Sequence, residues 1–349
     1  MGKINLLDCT LRDGGYLNNW EFGETVIADI IEKLSTTNVE ILELGFIRNE
    51  EYSRDRVVFN RMEQIKELIG RGKKSVSFSV MGELSSRVPL ENITPSDKSG
   101  IDIIRMIIWK DKHLPDGTVV DALEEGYRYC EALIEKGYKV CVQPVRVNQY
   151  SDDEFYAMVK RFSGLNPMAL YVVDSWGTDN PEDLLHYMKI ADGLLPEGTA
   201  LGYHGHNNMM HALSVAQTML RENFERDIII DASVFGIGRG AGNLNLEIIA
   251  KYLNEKYSKN YDLKPMIDVY DKHISKIYQK TPWGYSIPYL VTASHMANPQ
   301  YTGYYCNELQ LDAEKLDDIL SIMPQEDKII FSRSSADRFL RQYLKEKRG

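Results

Sequence analysis

The amino-acid sequence predicts an α/β protein, a (β/α)8 (TIM) barrel with a helical C-terminal extension. Three observations carry that expectation. Short β-rich runs alternate with amphipathic helical stretches up to about residue 250. Polar and charged residues gather at the C-terminal end of each run. Beyond about residue 256 the alternation gives way to helical segments joined by an aromatic stretch.

The runs are Ile4 to Cys9, Val39 to Phe46, Ser75 to Met81, Ile103 to Trp109, Lys139 to Val145, Ala169 to Asp174, Ala200 to His204 and Ile228 to Val234. They are rich in Val, Ile, Leu, Phe and Tyr without clean alternation, as strands buried on both faces are. Between them, Thr25 to Leu34 spaces Val26, Ile27, Ile30, Ile31 and Leu34 as one helical face. Val120 to Lys136, Asp152 to Phe162, Pro181 to Ala191 and Met209 to Arg221 follow the same pattern. The connection Gly82 to Gly100 is only weakly helical. The eighth helix is expected near Leu244 with Asn243 as its N-cap. Eight regular units favour closure over an open doubly wound sheet. No GxGxxG follows the first run. The glycine-rich Gly236-Ile237-Gly238-Arg239-Gly240 follows the eighth run, where barrels often bind anions. Residues 1–255 therefore form the expected catalytic barrel. Residues 256–349 form an extension, helical around Ile267 to Tyr278 and Ala313 to Ile322, packed on the barrel or on a second subunit.

Bulk properties narrow the function. The chain has 349 residues, 43% hydrophobic and 26% charged, with a net charge of -10. No stretch concentrates Lys and Arg enough to follow a phosphate backbone, which argues against nucleic acid. The basic tail Lys345-Glu346-Lys347-Arg348 reads as a frayed terminus. No apolar segment resembles a signal peptide or spans a bilayer. Cys9, Cys130, Cys141 and Cys306 form no CxxC pair, so a reducing cytoplasm fits better than a disulfide framework.

The seventh run leads into Gly202-Tyr203-His204-Gly205-His206-Asn207-Asn208. Residues i and i+2 of a strand share a face, so His204 and His206 can bind one metal ion together. The first run ends in Asp8-Cys9-Thr10-Leu11-Arg12-Asp13-Gly14-Gly15-Tyr16, which makes Asp13 their natural carboxylate partner. Two imidazoles and a carboxylate leave open positions on a divalent ion. With no thiolate on offer, Mn²⁺ or Mg²⁺ is favoured, with Zn²⁺ or Co²⁺ as alternatives. The plainer readings are a turn residue for Asp13 and satisfied core histidines. Arg12 suits an enolate or a substrate carboxylate, or forms a structural ion pair with Glu43 or Asp174. His211 lies on the following helix and is expected to be structural.

The runs Leu7-Asp8-Cys9-Thr10-Leu11-Arg12-Asp13-Gly14-Gly15, Gly205-His206-Asn207-Asn208 and Gly238-Arg239-Gly240-Ala241-Gly242-Asn243 resemble the metal-dependent barrel lyase and synthase superfamily. That superfamily includes 3-hydroxy-3-methylglutaryl-CoA lyase, isopropylmalate synthase and 4-hydroxy-2-oxovalerate aldolase. The His-Gly-His-Asn-Asn form and the segment Trp283-Gly284-Tyr285-Ser286 look more like the aldolase branch. The resemblance implies that Asp13, His204 and His206 bind the metal, that Arg12 stabilises an enolate oxygen, and that Glu43 stands near the metal water. It makes Asn243 a further ligand and Tyr285 an active-site tyrosine. Where the aldolases carry a histidine for proton transfer, this chain has Tyr16. A phenol, with an ordinary pKa near ~10, is a poor base and a better donor.

The implied reaction is class II aldol chemistry, in which a 4-hydroxy-2-oxo acid is cleaved to pyruvate and an aldehyde, or formed from them. The alternatives are an acyl-CoA-dependent condensing synthase, a non-haem iron oxygenase with two His and one carboxylate, a Schiff-base aldolase through Lys110, and a barrel without catalysis. The resemblance also implies an aldehyde dehydrogenase partner. The apolar stretch Tyr285 to Tyr305 suggests a homodimer.

Overall fold

Eight parallel strands close into a barrel in the computed structural model, which describes residues 2–69, 76–110, 112–113 and 119–347. Met1, Ser75 and Arg348, which the sequence reading included in its segments, lie outside the described residues. The strands are β1 (Ile4–Asp8), β2 (Ile41–Ile47), β3 (Ser77–Glu83), β4 (Ile103–Ile108), β5 (Lys139–Pro144), β6 (Ala169–Asp174), β7 (Ala200–Gly205) and β8 (Ile228–Ala232). They pair in chain order, and β1 closes the ring on both sides, pairing Leu6 with Ile230 on β8 and Leu7 with Ile41 on β2.

The connecting helices are built from their own sequences. Ser151 and Glu154 form a reciprocal capping box at the start of Asp152–Ser163. That helix buries Phe155, Met158, Val159 and Phe162 at i, i+3, i+4 and i+7, a single face against the barrel. The connection from β3 to β4 holds only short 3-10 turns and the single turn Ser96–Ser99, as its weak pattern predicts. The eighth helix, Leu246–Tyr257, starts later than expected, with Asn245 and not Asn243 at its N-cap. Asn243 is instead paired with His206 in a short antiparallel bridge, a tertiary contact that overrides the local capping signal.

Strand alternation sorts the barrel interior into layers. Leu7, Ile41, Ile103, Cys141, Ala169 and Ile229 form an apolar floor. Two residues further along, on the same face, stand Cys9, Glu43, Arg105, Gln143, Tyr171 and Asp231. The interior thus turns from apolar to charged toward the C-terminal ends of the strands, where barrel sites form.

After the barrel, Leu263–Val269 and Ser275–Lys280 flank a π-helical turn, and Met266, Val269, Ile274 and Trp283 join the barrel's own core. The later helices, among them Ala313–Ile322 and Arg333–Glu346, enclose a second core around Tyr301, Tyr305, Leu316, Leu320 and Phe339. The basic tail is not frayed there: the last helix runs through Glu346, and Lys347 pairs with Asp318 at 3.1 Å. Among the described residues, no helix is long and apolar enough to cross a membrane, and the four cysteines are free.

Candidate active site

Asp13 leaves β1 on a short helical turn, Thr10–Gly14, whose five residues are all buried. His204 stands at the end of β7 and His206 just beyond it. Their ligand-type atoms lie within 4.8 Å of one another, and all three residues are buried. Among the described residues this is the one group of His, Cys, Asp and Glu side chains so placed. The imidazole rings are 5.2 Å apart at 86° to each other.

Gly238 makes the last approach possible. A Cβ there would stand 2.6 Å from Asp13 Oδ2 and closer still to Asn243 Nδ2, so only glycine lets the β8 turn close over the carboxylate. Asn243 donates Nδ2 to Ile237 O at 3.1 Å and to Ser233 Oγ at 3.4 Å.

The residues fit a divalent cation. Asp13 Oδ2, His206 Nδ1 and Asn243 Oδ1 are buried and, among the described residues, accept no hydrogen bond of good geometry, although the Asn243 side chain stands close enough to Asp13 to favour its ionised form. Three orphaned buried atoms would each cost about 1–3 kcal/mol, and an ion that takes them removes that cost. Burial drops the His206 pKa from 6.5 to about 3, against the pull of Asp13, so the ring stays neutral and can ligate. Burial pushes the Asp13 carboxyl up, but the Arg12 guanidinium beside it outweighs that and holds the acid ionised, well below the usual carboxylate range. His204 Nδ1 lies 3.0 Å from Asp231 Oδ2, poorly aligned for a hydrogen bond but close enough for the acid to orient the ring.

Arg12 is clamped by two acids. Its Nε donates to Glu43 Oε2 at 2.6 Å and its NH1 to Asp13 Oδ1 at 2.5 Å. The third arm, NH2, is buried and has no hydrogen-bond partner among the described residues. Of the two ion pairs expected for Arg12, the one with Glu43 forms. Asp174 instead accepts the backbone amides of Thr178 and Asp179 at 3.0 and 3.2 Å.

Below this lies a network that the sequence reading missed. Arg105, fully buried on β4, pairs with Glu43 Oε2 at 2.8 Å and with Asp231. Its guanidinium sits 4.6 Å from the centre of the Tyr171 ring. With its amide oxygen turned inward, Gln143 accepts Arg105 Nε–H at 2.9 Å. Arg12 and Arg105 face three carboxylates, Asp13, Glu43 and Asp231, so the two arginines leave one carboxylate charge unbalanced. A divalent cation is also the right sign to balance it.

The triad opens onto a cavity of about 390 Å³ at the barrel mouth. Its far walls carry Trp109, Arg146 and Trp176, and its roof comes from the extension through Asn298, Gln300 and Ile329, Ile330 and Phe331. Tyr16 lines it, packed edge-on to Trp20 at 4.9 Å and lying 5.6 Å from the Arg239 guanidinium. Desolvation raises its pKa above 10 despite Arg239, so the phenol keeps its proton at neutral pH. Tyr285 is not brought to the others. It is 51% exposed and lines no part of the cavity, because Trp283 takes the buried place, donating to Phe235 O at 3.0 Å, and Gly284 turns the chain at φ +117. Lys110 is engaged outside the cavity by Glu154 at 2.7 Å, and His211 sits at the N-cap of Ala212–Arg221, 3.2 Å from Asp179 O.

One buried acid near the site sets a pH response. Asp8 accepts from Thr10 Oγ1 at 2.5 Å, yet burial raises its pKa from 3.8 to about 7. The folded chain therefore holds this proton where the unfolded chain has released it. The contribution of Asp8 to stability falls as pH rises from about 4 to about 7 and is flat above, a loss from this group of roughly 2–3 kcal/mol between pH 5 and 7. Asp8→Asn is expected to remove that part of the slope, read as urea midpoints at pH 5 and 7.5. An unchanged slope would show that Asp8 ionises normally in the fold.

Comparison with known proteins agrees with this geometry. Residues 118–272 match the HMGL-like family model. An oxaloacetate decarboxylase from Mycobacterium tuberculosis is 26% identical over 286 residues, covering 81% of this chain and 79% of that protein. A 4-hydroxy-2-oxovalerate aldolase from Shewanella pealeana is 31% identical over 281 residues, covering 76% of this chain and 75% of that protein. The fold is shared with hydroxymethylglutaryl-CoA lyase from Pseudomonas aeruginosa, at a TM-score of 0.64 and 15% identity, covering 80% of this chain and 95% of that one. With its closed barrel, buried Asp-His-His cluster and these relatives, the chain belongs to the HMGL-like family of divalent-metal-dependent barrel lyases and aldolases.

Proposed function

We propose that this enzyme cleaves or forms the C3–C4 bond of a 4-hydroxy-2-oxo acid, with pyruvate and an aldehyde as the other side of the equilibrium. The observation that carries this reading is the free NH2 arm of Arg12, buried beside the Asp13, His204 and His206 cluster at the floor of an open cavity. Asp13, His204, His206 and, through its orphaned Oδ1, Asn243 would hold the cation. A divalent ion of the Mn²⁺ or Mg²⁺ kind supplies Lewis acidity to the oxygens of the 2-oxo acid.

The side chains supply the rest. Glu43 fixes Arg12 so that NH2 donates to the oxyanion growing on the C2 oxygen as C3–C4 breaks. The 4-hydroxyl loses one proton and C3 gains one, so the reaction is balanced without a redox step. Tyr16, protonated at neutral pH, serves in the cleavage direction as the proton donor at C3.

Tyr16 also favours a second reading. Decarboxylation of a 2-oxo dicarboxylic acid, the activity named for the Mycobacterium tuberculosis relative, has no hydroxyl to deprotonate. Carbon dioxide leaves, C3 takes up a proton, and a phenol that keeps its own proton suffices. The test is a direct comparison of 4-hydroxy-2-oxopentanoate and oxaloacetate with Mn²⁺-loaded enzyme, following aldehyde and carbon dioxide. Aldehyde release as the faster reaction supports the aldolase, and carbon dioxide release supports the second reading. Pyruvate from neither would sink both. In either case Tyr16→Phe is expected to lower kcat about 100-fold with KM nearly unchanged. An unaltered kcat would remove Tyr16 from the proton route.

A further inference from the structure

Arg146 is a cavity-wall cation with no carboxylate paired to it among the described residues. Its guanidinium lies close to two indoles, 5.5 Å from the Trp109 ring centre and 5.0 Å from that of Trp176. Its Nε and NH1 are buried and meet no acceptor among the described residues. Two of the other three cavity arginines differ. Arg12 is held by Asp13 and Glu43, and Arg48 pairs with Glu83 at 3.1 Å. The third, Arg239, likewise meets no carboxylate among the described residues; it donates to Asn298 Oδ1 at 2.8 Å and disfavours the Arg146 charge, while the Tyr150 phenol acts the other way. Burial pulls the Arg146 pKa down from 12.5 to about 10, so the charge is poorly accommodated as it stands.

The backbone is also distorted to present it. Arg146 has φ 55 and ψ 60, a left-handed conformation that costs free energy in a residue with a Cβ. Its N–H donates to Ser175 Oγ at 2.9 Å, which holds the turn. Strain of this kind persists where the surroundings over-determine it, commonly at ligand clamps.

Its place in the barrel gives the geometry. Arg146 follows β5, and in a closed ring of eight strands paired in chain order β5 stands across from β1, which delivers Asp13. The cavity joins the two sides. A substrate whose 2-oxo acid end lies at the metal cluster therefore extends its other end toward Arg146. We infer that this far end, the aldehyde half of the substrate in the reading above, carries an oxyanion, a carboxylate or a phosphate, that Arg146 binds beside Trp109 and Trp176. A guanidinium, planar by its own delocalisation, takes such groups through two parallel hydrogen bonds, and the indoles restrict its orientation and exclude water from it. A neutral aldehyde half fills the cavity and leaves the charge buried and unpaired, which selects against it.

The test is aldol addition of pyruvate to butanal, succinic semialdehyde and glyceraldehyde 3-phosphate by the metal-loaded full chain. In wild type, kcat/KM for one of the two anionic aldehydes should exceed that for butanal by at least ~100-fold. Which of them wins separates a carboxylate from a phosphate. Arg146→Met, which still fills the slot beside the indoles, should reduce that ratio to below about five-fold, and Arg146→Lys should restore part of it. A wild type without the preference, or a methionine variant that slows all three aldehydes alike, overturns the inference. A second arm needs no turnover: tryptophan fluorescence is titrated with succinate and with inorganic phosphate. Saturable binding weakened at least roughly ten-fold by Arg146→Met supports the site, and equal binding by both proteins overturns it. Binding that persists while no aldehyde reacts supports the oxyanion site and defeats the aldol reading alone.

Discussion

Replacing His206 by alanine is expected to abolish metal binding and turnover together. The ring is buried and neutral, its Nδ1 has no partner, and it closes a cluster whose ligand atoms lie within 4.8 Å of one another. Removing it leaves Asp13 and His204 at opposite sides of a gap that water fills poorly. Affinity for Mn²⁺ should fall at least ~100-fold, because changes even to residues behind the ligands cost 10- to 100-fold. Turnover should fall by about three orders of magnitude or more. Isothermal titration with Mn²⁺ and metal analysis after dialysis provide the check, with circular dichroism to verify the fold. A variant that keeps both the ion and the activity would show that the cluster is not the metal centre.

Arg105→Met is expected to produce the largest loss of stability. Arg105 is fully buried and neutralises Glu43 and Asp231. Its removal leaves two carboxylates in the barrel interior with Arg12 alone to compensate, and breaking a buried pair in this way costs ~3–5 kcal/mol. For a chain of this length the melting temperature should drop by roughly 5 °C, since unfolding entropy scales with residue number. Combining Arg105→Met with Asp231→Asn should recover part of the loss, because the second change removes one stranded charge. Equal melting temperatures for wild type and Arg105→Met would show that the network does not hold the barrel interior. The same variant should also slow turnover, because Glu43 orients Arg12 and Asp231 faces His204.

Much of this could be seen in the sequence, for physical reasons. Strands buried on both faces must be apolar almost throughout, so all eight runs stand out. His204 and His206 share a face because strands alternate, and Asp13 follows from the polar end of the first run. Arg105 and Asp231 were equally visible as lone charges inside Ile103-Ile104-Arg105-Met106-Ile107-Ile108 and Ile228-Ile229-Ile230-Asp231-Ala232. What the sequence withholds is that they meet, since their partnership spans 126 residues and is set by barrel closure. Asn243 and Asn245 are equivalent as capping residues, and only the pairing of Asn243 with His206 decides between them. The residues Ile329, Ile330 and Phe331 follow no period that marks them as cavity wall. Tyr285 was placed by resemblance, and the turn at Gly284 carries it to the surface.

The ceiling of the cavity is made from a part of the chain with a hydrophobic core of its own, distinct from the barrel core beneath Asp13, His204 and His206. Exchanges at Ile329, Ile330 and Phe331 can therefore reshape the room available to a second reactant while the chemistry below goes undisturbed. Descendants of one ancestral catalyst could in this way diversify in what they accept by redecorating the lid and keeping the hearth.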